Sequence, residues 1–73
     1  MVTAQMKRAR DTQAQRAIEM FEARMPVKVV NWSAHASQIW IEYKRADAED
    51  SKWMPAKTAR GFIGYGGEWI QRL

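Results

Sequence analysis

Cysteine is absent from this chain. Disulfide stapling and thiolate zinc sites are therefore excluded, and the absence fits a reducing compartment. Histidine occurs once, at His35, and proline twice, at Pro26 and Pro55. No apolar run approaches the roughly 20 residues of a membrane-crossing helix, and Met1–Arg10 contains no apolar signal region. The expected setting is soluble and intracellular, without membrane contact. Glycine is scarce and concentrated late, at Gly61, Gly64, Gly66 and Gly67.

The chain has 73 residues, 47% of them hydrophobic, and carries four Trp, two Tyr and two Phe. One small domain is expected. At this size a chain buries only about 60% of its unfolded surface, so the large aromatic side chains matter to the core. Twelve Lys and Arg stand against eight Asp and Glu, a net charge of +4. That balance suits phosphates or an acidic protein surface as well as simple solubility.

Gln38–Lys44 carries the clearest pattern. Ile39, Ile41 and Tyr43 alternate with Gln38, Trp40, Glu42 and Lys44, the signature of a half-buried strand. Upstream, Ala14, Ala17, Ile18, Phe21 and Met25 recur at helical spacing. Asp11 is placed to cap this helix, and Pro26 ends it near Arg24. Residues 1–10 are read as a flexible basic arm carrying Lys7, Arg8 and Arg10, or as a backward extension of the helix through Met6 and Ala9. Val27–Trp32 is a second strand whose imperfect alternation suggests burial on both faces. Ser33–Ser37 is the turn joining it to Gln38–Lys44. Lys52–Pro55 is read as a short edge strand, since Pro55 cannot donate to a ladder. Gly66-Gly67 between Phe62–Tyr65 and Glu68–Leu73 marks a hairpin, with Trp69, Ile70 and Leu73 closing the core. The expected architecture is α+β, with one main N-terminal amphipathic helix packed on a small antiparallel sheet of three to four strands. Residues 11–73 form the single compact domain.

No catalytic, cofactor or metal site emerges. His35 lies in a small-residue turn between Ser33 and Ser37, without the orienting third group that nucleophilic catalysis requires. Asp47, Glu49 and Asp50 lack calcium-loop spacing and read as a solvated acidic loop. Arg60-Gly61-Phe62-Ile63-Gly64-Tyr65 begins like a base-stacking RNA-recognition strand. It departs from that pattern at Ile63 and Gly64, and its aromatics are expected in the core. Tryptophan and arginine are enriched at interface hot spots. The candidate partner-binding residues are therefore Lys7, Arg8 and Arg10, with Trp40 as an anchor beside Lys44 or the basic arm.

As a whole the chain resembles the small transcription regulators of lytic Xanthomonas phages. The likeness rests on the length, the basic start Lys7-Arg8-Ala9-Arg10, the helix through Ala17-Ile18-Glu19-Met20-Phe21, and the ending Gly66-Gly67-Glu68-Trp69-Ile70-Gln71-Arg72-Leu73. It covers the full chain without a short diagnostic motif. The resemblance implies a monomer that binds host RNA polymerase near the N-terminal part of β′ and inhibits σ-dependent initiation. It also implies antitermination with help from NusA, and it carries no individual contact residue over. The alternatives are a small phage inhibitor of a bacterial defence complex, as anti-CRISPR proteins are, or a module that contacts RNA or DNA directly.

Overall fold

Ala14, Ala17, Ile18 and Phe21 are the buried residues of the helix, the i, i+3, i+4, i+7 stripe of one helical face. In the computed structural model, which describes residues 4–73 and side chains from Arg10 onward, this helix (α1) runs from Ala4 to Arg24. It thus starts earlier than Asp11, which lies inside it rather than at its cap. The sequence Ala4–Arg10 consists of strong helix formers, and nothing in it halts propagation. The segment read as a basic arm enters the helix at Ala4. Residues 1–3 and the side chains of 4–9, including Lys7 and Arg8, lie outside the described residues.

Four strands follow: β1 (Val27–Ala34), β2 (Ile39–Arg45), β3 (Ala59–Ile63) and β4 (Trp69–Arg72). They pair in chain order as one antiparallel sheet. The α+β architecture agrees with the sequence reading. Ile39, Ile41 and Ile63 are fully buried with the helix stripe, and Val27, Val29, Trp32, Ala34, Tyr43 and Tyr65 pack around them. The helix therefore covers one face of the sheet, and alternation sends Trp40, Glu42, Lys44 and Phe62 to the other.

Both edge strands contain a bulge. The β1–β2 register passes from Val29 to Asn31 and skips Val30. The β3–β4 register passes from Gln71 to Trp69 and skips Ile70. Val30 and Ile70 are exposed, at 47% and 44%. The broken alternation of β1 thus reflects an inserted residue rather than burial on both faces. Three further expectations are corrected. Lys52–Pro55 is not a strand but part of the loop over 46–58. Ser33 and Ala34 extend β1, so the turn falls at His35–Gln38, where the His35 amide donates to the Gln38 carbonyl at 2.9 Å. Of the three residues expected to close the core, Ile70 and Leu73 are exposed.

Trp69 is exposed too, at 42%, yet one side of its ring packs on the edge of the core. Its ring stacks on Phe21 at 5.7 Å and meets Tyr43 edge-on at 5.8 Å. It crosses Gly61 so closely that a Cβ there would lie 2.6 Å from the indole. The hairpin tip also abuts the helix. Arg24 Nη2 donates to the Gly66 carbonyl at 2.8 Å. Gly67 takes φ +78°, and a Cβ on it would lie 2.9 Å from the Ala17 carbonyl oxygen and 2.9 Å from Met20 Cβ.

Gly67→Ala is expected to destabilise the fold by about 1–2 kcal/mol, because positive φ and helix contact act together. At Gly66 only the flexible end of Glu68 lies in the way, so Gly66→Ala should cost less than about 0.5 kcal/mol. Urea denaturation midpoints at unchanged slope measure the difference.

Candidate functional site

The uncovered face is built in rows by the strand register. One row runs Ser33, Trp40, Phe62, Gln71 across all four strands. The next contains Asn31, Glu42 and Arg60, with Leu73 beside Arg60 because its backbone N–H donates a hydrogen bond to the Arg60 carbonyl at 2.9 Å. Lys28 and Lys44 form a third. Trp40 and Phe62 are half-buried neighbours on the two central strands. A groove of about 490 Å³ lies beside them, lined by Trp40, Thr58, Arg60 and Leu73 among others. Glu42 accepts a hydrogen bond from the Thr58 hydroxyl at 2.7 Å and lies 4.0 Å from the Arg60 guanidinium. Arg60 remains 63% exposed, so its cation faces solvent beside the aromatic row.

The loop 46–58 forms a second surface at one end of the sheet. Asp50 anchors it, accepting from Lys44 Nζ at 2.8 Å and from the Ala56 amide at 3.2 Å. These two hydrogen bonds, with the Lys44 charge, hold the Asp50 carboxyl below the usual carboxylate range. Beyond the anchor, the Ser51 amide donates to the Met54 carbonyl at 3.2 Å, and the Met54 amide donates to Ser51 Oγ at 2.9 Å. The resulting tight turn holds Trp53 and Met54 outward at 85% and 77% exposure. The Lys52 ammonium lies 5.6 Å from the Trp53 ring, within cation–π range.

The residues singled out in the sequence do not form one patch. Trp40 and Lys44 share the uncovered face, as alternation implied. Lys44 is only 17% exposed and its charge is engaged by Asp50, so it braces the loop. Arg10 is exposed on α1, and the sheet lies between that helix and Trp40. Lys7 and Arg8 lie outside the described side chains. Phe62, expected in the core, faces outward instead. The signal was available, since Gly61 and Ile63 on the covered side place the residue between them opposite. Trp53 and Met54 were misread because an adjacent apolar pair before Pro55 looks like a strand.

The acidic trio is dispersed. Asp47 pairs with Arg45 at 2.9 Å, Asp50 with Lys44, and Glu49 faces solvent. Among the described residues no group of three or more His, Asp or Glu side chains is placed to hold a metal ion. His35 is exposed, and its carbonyl accepts from the Tyr65 hydroxyl. No described helix is long and apolar enough to cross a membrane. No protein family, curated protein or solved structure matches the chain in comparison.

A depressed folded-state pKa means that the Asp50 contribution is complete above its unfolded value of about 3.9. It is lost only as pH falls through the lower folded value. The carboxyl should accordingly titrate below the ordinary aspartate range by NMR, with the loop still anchored near pH 4. In Asp50→Asn the Ala56 amide should exchange faster at neutral pH, with little change in the core strands.

Proposed function

We propose that this chain is a non-catalytic binding protein that acts on bacterial RNA polymerase. It docks near the N-terminal part of β′, impedes σ-dependent initiation on host promoters and promotes antitermination together with NusA. The phage origin and the polymerase target rest on the whole-chain resemblance. The structural observation that supports a protein partner is the braced, outward-held Trp53–Met54 tip. An exposed tryptophan costs solubility and gives the core nothing, whereas in an apolar socket it buries about 150 Å² or more. At about 25 cal/mol per Å² that contact stabilises a complex by about 4 kcal/mol before the costs of association. Met54 adds an adaptable side chain of the kind favoured at interfaces. The turn and the Asp50 anchor order the tip in advance, which lowers the entropy lost on docking.

The test is capture of polymerase by the tagged protein from nuclease-treated bacterial lysate, followed by titration against purified holoenzyme. Recovery of polymerase subunits with saturable binding is expected. Trp53→Ala should weaken that binding by about 30-fold or more, the size of a hot-spot loss, with an unchanged circular dichroism spectrum. Replacing Lys7, Arg8 and Arg10 by Ala should weaken binding and flatten its salt dependence together. Absence of polymerase binding by the wild-type chain would reject the proposal. Recovery of defence-complex subunits instead would replace it with the defence-inhibitor reading.

A further inference from the structure

We infer that the uncovered sheet face binds single-stranded RNA, with successive bases stacked on Trp40 and Phe62 and the phosphates held by the cations beside them. Three observations carry this. Trp40 and Phe62 are directly paired across the two central strands, with Cβ atoms about 5 Å apart as cross-strand neighbours, which lets the two side chains serve adjacent nucleotides of one strand. Neither ring belongs to the Phe21–Tyr43–Trp69 cluster that fastens the other face. Exposed aromatic faces on an open antiparallel sheet accept any base through its π face.

Charge is the second observation. Sheet positions on this face carry Lys28, Lys44 and Arg60 against a single carboxylate, Glu42. Glu42 is partly occupied by the Thr58 hydroxyl and lies beside Arg60, while Asp50 engages Lys44. Lys28 and the 63%-exposed Arg60 therefore supply the cations that face solvent on the two sides of Glu42. Lys57, in the loop next to Thr58, adds a further exposed charge at the margin.

The third observation is what ends the aromatic row. Ser33 and Gln71 flank Trp40 and Phe62. A hydroxyl and a carboxamide there offer neutral donors and acceptors at the sugar edge of a stacked nucleotide. The ribose 2′-hydroxyl, itself donor and acceptor, is the group they suit, and this favours RNA over DNA.

The inference does not depend on the polymerase reading, and its test contains no polymerase. Fluorescence anisotropy of a labelled oligouridine of about a dozen nucleotides is followed between about 50 and 200 mM salt, with the deoxyribose oligomer and an RNA duplex in parallel. Binding to oligouridine should weaken with salt, with a log–log slope of about −1.4 to −2.1 for two or three phosphate contacts. The DNA strand and the duplex should bind more weakly. Trp40→Leu and Phe62→Leu keep apolar volume on the sheet but remove the stacking surface, and each should weaken binding by about tenfold. Arg60→Ala should weaken it and reduce the salt slope. Arg16→Ala removes the same charge from the helix side, at an exposed position, and should leave binding within about twofold. Lack of oligouridine binding by the folded wild-type chain would overturn the inference. So would losses in the leucine variants no larger than that of Arg16→Ala, or equal affinity for the DNA strand.

Discussion

The contact between Trp69 and Phe21 fixes how the other elements meet. Trp69 comes from the last strand and Phe21 from the last turn of the helix, and Tyr43 on β2 meets both rings. This three-ring junction ties the two ends of the chain across the sheet. It forms only because position 61 has no side chain to occupy the space the indole crosses. Offset and edge-on ring pairs add about 0.5–1.5 kcal/mol each beyond burial, a large share of the margin of a small domain. Gly67 makes the same kind of allowance at the hairpin tip, where helix backbone and turn backbone nearly touch. Small residues thus bring large ones together.

The open face follows from that arrangement. The described residues form one helix, and a helix with its side chains is about 10–12 Å wide. It covers one face of a four-stranded sheet and leaves the opposite face without an intramolecular partner. Polar side chains occupy most of the opposite face. Trp40 and Phe62 remain there, half-buried among Ser33, Gln71 and Arg60. The loop tip poses the complementary case, a projecting apolar pair rather than a flat surface. Lys44 connects the two. It stands on the face and bonds the aspartate that anchors the loop, so its charge serves the geometry of both surfaces rather than the field of either.

The helix and β2 were legible in the sequence because each carries its own period without interruption, and Pro26 marks the end of the helix before β1. The flanking strands were harder. A bulge is a property of a strand pair, and neither Val30 nor Ile70 looks unusual until a partner register is known. β3 was read only at its end, as the Phe62–Tyr65 arm of the hairpin, and its start at Ala59 was missed, because glycine lies at its centre and strand propensity disfavours that residue. Its presence is explained by Trp69, eight residues later in sequence and directly above it in space. The site was legible to the same degree. Trp40 could be placed by alternation on β2. Phe62 follows by the same alternation once β3 is recognised, and the pairing of Lys44 with Asp50 depends on how a long loop returns.

The edges argue for side-chain recognition over strand addition. An unprotected edge strand is a template for another chain, and many small binding domains use that device. Here β1 has its edge occupied from within. The helix residue Glu22 accepts the Val29 amide at 2.8 Å, and Asn31 Oδ1 accepts the Trp32 amide at 2.9 Å. Both amides flank the Val30 bulge, which itself disrupts a regular ladder. β4 is only four residues long, Trp69–Arg72, and is interrupted at Ile70. Neither edge presents a flat run of free donors and acceptors. The surfaces left for a partner are the aromatic and cationic face and the Trp53–Met54 tip. One of them is flat and the other projects.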